Sequence, residues 1–175
     1  GFLTREPNRG FIGRPLDAKQ VFDLYELRRA LETSIVAIAC ERASDEDLAG
    51  LERFVKASKD RPEDAHAASL LALDEQFHER VAALTRNGEM VRALKSINAR
   101  IHYFRWINMK NGRRRHTQQE HLKIVRGMKA RDARAAQELV QGHIASRLDH
   151  IVAVIRMGFA EIYMRDQVAD AEQVR

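Results

Sequence analysis

At 175 residues with 45% hydrophobic side chains, three prolines and nine glycines, the chain can bury one real core, which excludes a disordered or low-complexity protein. No apolar run approaches the roughly 18 residues of a membrane span and no segment reads as a signal peptide, so the expectation is a soluble, cytoplasmic protein with no membrane partner. The single cysteine, Cys40, excludes an internal disulfide framework and cannot alone build a thiolate metal site; the net charge of +5 is mostly interspersed with acidic residues, apart from Arg5, Arg9, Arg14 and the run Arg113 to Arg115.

The opening segment, GFLTREPNRGFIGRPL (residues 1–16), differs from all that follows. Two short apolar runs flank a Pro7-Asn8-Arg9-Gly10 turn, the pattern of a β-hairpin. Two strands alone are marginal, so the hairpin is expected to belong to a larger unit upstream or nearby. Asp17 can cap a first helix over about Ala18 to Glu41, with Val21, Leu24, Leu27, Leu31, Ile35 and Ile38 as its apolar stripe. Arg28 lies inside that arc and is an inward charge. Ser44 and Asp47 form a capping box for a second helix through about Ser58. Pro62 suits the first turn of a third helix that runs to about Thr85, with Asn87-Gly88 as its stop.

That third helix carries the most informative stretch, LLALDEQFHERVAAL (residues 70–84). At 100° per residue, Leu70, Asp74, Phe77, His78 and Val81 project within roughly one 100° arc, so a carboxylate and an imidazole point toward the core. A buried carboxylate is costly unless a cation, a charge partner or a metal accompanies it. A fourth helix from about Glu89 to Lys110 ends at Asn111-Gly112; its Arg100, His102 and Arg105 have no orientation from sequence. In the fifth, about Arg114 to Lys129, His121 shares a face with Ile124, Val125 and Met128. Asp132 can cap a sixth, reaching Met164 with a weak point at Gly158, whose apolar arc of Ala136, Val140, Ile144, Ile151 and Val154 includes His143. Short polar connections between about six amphipathic helices predict an all-α antiparallel bundle.

Three helices thus offer Asp74, His78, His121 and His143 toward one interior. One hard oxygen and three imidazole nitrogens suit one divalent ion per chain, Zn²⁺, Ni²⁺, Mn²⁺ or Fe²⁺, with positions left for water or a ligand. Arg28 would then hold a carboxylate bidentately beside the metal. Singly, each histidine reads as a hydrogen-bonded core residue, and Asp74 could instead pair with Arg28. His150 lies seven residues beyond His143 and could replace it, whereas His66, His102 and His116 read as surface or interface residues. Glu75 and His78 satisfy the Glu-x-x-His pattern of di-iron bundles, but no second such motif follows. No phosphate loop, nucleophile elbow or zincin motif is present.

These residues carry a resemblance that covers essentially the whole chain. It resembles a GntR-type transcriptional regulator of the FadR subfamily, in particular the ligand-binding FCD domain. GFLTREPNRGFI (1–12) is similar to the wing hairpin that ends the family's winged helix-turn-helix domain, and LYELRRALE (24–32) to the opening of the effector domain. DEQFH (74–78), Glu120-His121, Arg131-Asp132-Ala133 and Gly142-His143-Ile144 match the spaced metal signature, and six helices look like the VanR-type branch. The resemblance implies a homodimer that binds a small organic acid near the metal at Arg28 and contacts operator DNA through an N-terminal domain of which only the wing is present. Its domain organisation would be a wing remnant at 1–16, an effector and dimerisation domain at 17–165 and a tail at 166–175. The competing expectations are a mononuclear metal-dependent hydrolase or lyase, which lacks a visible general base, and a metal-free dimerisation module. A regulator, not an enzyme, is expected.

Overall fold

The structure, a computed structural model, describes residues 3–6, 10–13, 18–59, 67–110 and 114–173, with side chains described over 18–58, 67–106 and 116–153. Strands β1 (Leu3–Glu6) and β2 (Gly10–Gly13) pair antiparallel, with Leu3 opposite Gly13 and Glu6 opposite Gly10. Six helices follow among the described residues: α1 (Ala18–Arg42), α2 (Asp45–Lys59), α3 (Ala67–Leu84), α4 (Gly88–Lys110), α5 (Arg114–Lys129) and α6 (Ala133–Gln173). The all-α bundle expected from the periodicity is the observed fold. Helix α1 runs through its centre, packing most extensively on α6 and also on α3, α4 and α5, while α3 lies on α4 and α2 on α5.

The helix ends follow from capping. Ser44 and Asp47 bond reciprocally, each backbone N–H to the other's side chain at 2.9 and 3.1 Å, which satisfies two donors that the start of α2 leaves open. Asp132 accepts from the backbone of Ala135 at 2.9 Å and starts α6. Asn87-Gly88 has a different role from the stop expected of it. Asn87 Oδ1 caps the N-terminus of α4, accepting from Glu89 and Met90, and Gly88 is already helical. The left-handed residue that ends α3 is Arg86, with φ 55°. Pro62, Asp17 and Asn111-Gly112 lie outside the described residues.

Two further expectations are corrected. Leu27 is exposed, because the buried arc of α1 centres on Tyr25, Arg28, Glu32, Val36 and Ala39, about 100° or more away from it. Leu31 and Ile38, at the arc's edge, are half-buried. Helix α6 passes through Gly158 and beyond Met164 to Gln173, since one glycine costs a helix only about 1 kcal/mol.

Candidate metal centre

Asp74 and His78 stand one turn apart on α3 and are both buried. His121 on α5 and His143 on α6 are buried opposite them. The structure brings all four together, with one ligand atom from each lying within 4.8 Å of the others. His78 Nε2 and His143 Nε2 are 3.3 Å apart, and His121 Nε2 is 3.4 Å from Asp74 Oδ1. Two donors that share one cation at bonds of about 2.1 Å in tetrahedral geometry stand about 3.4 Å apart.

The surroundings fix which atoms face inward. His78 Nδ1 lies 2.5 Å from Glu32 Oε2, and Glu32 Oε1 accepts from Arg28 Nε at 2.5 Å. His143 Nδ1 lies 3.0 Å from Glu120 Oε2, which also accepts from Arg147 at 2.6 Å. An ionised carboxylate only accepts, so each ring must donate from Nδ1 and present the Nε2 lone pair to the centre. Two lone pairs facing each other at this separation repel unless a cation lies between them. A carboxylate behind each histidine is also the usual outer layer of a histidine-ligated metal.

Asp74 Oδ2 is bonded to Arg105, which also donates to Asn98 Oδ1 at 2.8 Å and to Glu75 Oε1 at 3.3 Å. Asp74 Oδ1 and His121 Nε2, by contrast, are buried with no hydrogen-bond partner among the described residues. Such orphaned groups cost about 1–3 kcal/mol each. The donor set, the two orphaned atoms and the opposed Nε2 pair all fit a divalent ion. His121 itself is held by stacking on Phe77, ring centroids 3.8 Å apart.

Electrostatics keep the acids charged and the rings of His121 and His143 neutral. Burial alone would raise the Asp74 carboxyl, but Arg105 and the three imidazoles outweigh it and hold it well below the usual carboxylate range. Glu32 is lowered against its burial by Arg28 and His78, and Glu120 against its burial by His143 and Arg147. Burial pushes His121 far down, and it lowers His143 to about 4 despite the opposing hydrogen bond to Glu120.

Arg28 is buried as expected but pairs with Glu32, not with Asp74, whose charge partner is Arg105. The pairing expected for a metal-free module is therefore corrected. Arg28, Arg105 and Arg147 converge on a small cavity of about 10 Å³ bordered by Tyr25, Asp74 and His143, room for about one water. His150 is half-buried and lies outside the group of four. His102 and His116 are exposed, paired with Glu75 and Glu120, and His66 is outside the described residues. Sequence reasoning missed Glu32, Arg105 and Arg147 as parts of the site, and it placed Glu120 in the metal signature without giving it a role. A signal existed for two of them: Glu32 follows Arg28, and Arg147 follows His143, by four residues on the same helical face.

A profile of the FCD domain matches residues 23–146. The Nta operon transcriptional regulator of Aminobacter aminovorans is 40% identical over 166 residues, covering 95% of this chain and 78% of that protein. Among solved structures, a GntR-family transcriptional regulator from Pseudomonas syringae pv. tomato str. DC3000 superposes with TM-score 0.71 at 18% identity, over 91% of this chain and 67% of that one. The metal-free FCD domain of TM0439 gives 0.67 at 17% identity, over 82% of this chain and 99% of that one. The all-helical bundle is thus a shared fold. The chain belongs to the FCD-domain family, and a relative at 40% identity is a transcriptional regulator by name. Its relatives are named as regulators and not as enzymes.

Proposed function

We propose that this chain is a metal-dependent sensor of a small organic acid and the dimerising part of a DNA-binding regulator. The observation that carries the reading is the convergence of Asp74, His78, His121 and His143, two of whose buried ligand atoms make no hydrogen bond among the described residues. One divalent ion per chain, of Zn²⁺, Ni²⁺, Mn²⁺ or Fe²⁺, is the group these residues would hold. Bound there, such an ion supplies a coordination position for a carboxylate oxygen.

The chain's own residues do the rest. Glu32 and Glu120 orient His78 and His143, and Arg105 fixes the carboxylate of Asp74. Arg28, on the cavity wall, faces the acid. Because Asp74, Glu32 and Glu120 are matched by Arg28, Arg105 and Arg147, a divalent ion adds uncompensated positive charge, which favours an anionic ligand. The effector domain would span 17–165 with a tail at 166–175. The paired strands within residues 1–16 support a wing through which the parent's winged helix-turn-helix reaches operator DNA. Six described helices favour the VanR-like branch, and a homodimer acting in the cytoplasm completes the reading.

Elemental analysis of the purified chain should find one divalent ion per chain. Metal uptake left unchanged by both Asp74→Ala and His121→Ala would overturn the centre. A thermal-shift screen of small organic acids, with and without chelator, should show stabilisation that needs both the ion and Arg28.

A further inference from the structure

We propose that the groove between α1 and α6 holds the body of the effector, so that the ligand is a carboxylic acid with an apolar or aromatic tail. This rests on the reading of the centre as an acid sensor, and it adds which kind of acid. The arginine-walled cavity, at about 10 Å³, has room for about one water, so it admits no more than an oxyanion oxygen of a ligand. Directly behind it lies an open groove of about 310 Å³. Tyr25 and Ile144 line both, so these two side chains form the partition between them.

The partition is itself unsatisfied. Tyr25 is 1% exposed, and its hydroxyl has no hydrogen-bond partner among the described residues; the same holds for Arg147 Nε on the cavity wall. Both are donors, so both suit an oxyanion whose head sits in the cavity. Tyr25 and Ile144, 1% and 2% exposed, close that partition, so a tail reaches the groove only where these side chains turn aside. There Phe22, Ala145 and Leu148 offer an apolar floor, and Phe22 is 43% exposed. The exposed rim carries Glu26 and Asp149 against Arg29 alone. A second carboxylate would meet that net negative rim, whereas a hydrocarbon or aromatic tail meets the floor.

The test is calorimetric titration of the zinc-loaded 175-residue chain with acetate, succinate, hexanoate and benzoate. Hexanoate and benzoate should bind about tenfold or more tighter than acetate, and succinate no tighter than acetate. Phe22→Ser, at an exposed position, and Ala145→Phe, which fills the groove, should each remove most of that gain and leave acetate unaffected. Tyr25→Phe should weaken acetate and benzoate by a common factor, about threefold to tenfold; unchanged affinity for both would overturn the anchor and the continuity argued from it. Tighter binding of succinate than of hexanoate and benzoate, or a gain that survives both groove variants, overturns the proposal. So does a changed oligomeric state in Phe22→Ser with all acid affinities untouched, which assigns the groove to a second copy. Acetate binding without any gain from a tail sinks this inference alone, whereas failure of every acid to bind sinks the sensor reading with it.

Discussion

Two seams of the same bundle are built on opposite principles. Where α2 meets α5, the buried apolar side chains Leu48, Leu51, Val55, Val125 and Met128 dominate, each contributing about 1.5–3 kcal/mol by leaving water, and the buried polar groups beside them, such as Ser58 bonded to Gln118 at 3.0 Å, are uncharged. Where α1, α3, α5 and α6 meet, the interior holds three carboxylates, three histidines and the arginines that neutralise them. Apolar replacements of similar volume would often be as stable as such paired charges, so a charged seam is weak evidence for stability. The dry seam holds the domain together; the charged one holds its chemistry.

The largest effect separating them is expected from Asp74→Ala. It removes a proposed metal ligand and leaves Arg105 only Asn98 and the more exposed Glu75, costing about 3–5 kcal/mol in a denaturant melt and abolishing zinc binding by calorimetry. Leu48→Ala, on the other side, should cost about 2–5 kcal/mol of stability, yet the folded protein should keep its zinc affinity. If that variant loses zinc as Asp74→Ala does, the two seams are one unit. Glu32→Gln and Glu120→Gln keep the shape behind His78 and His143 but weaken the orienting bond, and each should lower zinc affinity about 10–100-fold. A gain or no change in affinity would show that these carboxylates serve only the arginines.

The most gradual effect is that of pH on the chelated, metal-free protein. His143, lowered to about 4, and His121, lowered further, bind fewer protons in the folded state than in the unfolded chain, where histidine titrates near 6.5. Their contribution is present in full above the unfolded value and is lost as pH falls through the folded one, so the melting temperature should decline from pH 6.5 toward 4. Asp74 and Glu32, both lowered, push in the same direction at more acid pH. A melting temperature that rises over that interval would contradict the buried, neutral state of the rings.

What was legible in the sequence follows from the same contrast. Asp74, His78, His121 and His143 stand out because each interrupts an otherwise apolar helical face, and local periodicity shows such an interruption. The caps at Ser44 and Asp132 are equally local. Arg105 was not legible: its helix carries charge on several faces, and its choice of Asp74, 31 residues away, is a tertiary decision. Glu32 was hidden differently. The buried arc of α1 is centred on a charged pair, so a stripe drawn through the apolar residues rotates toward Leu27 and away from the true interior.

His121 differs from its three companions in one respect: neither ring nitrogen makes a hydrogen bond among the described residues, and its ring is stacked on the face of Phe77. Rotation about that stack breaks no hydrogen bond, whereas moving Asp74, His78 or His143 breaks at least one. If the proposed ion is bound, His121 would be the ligand with the fewest hydrogen bonds to break on swinging aside. The Phe77 contact would then set how fast such an ion exchanges more than how tightly it is held at equilibrium.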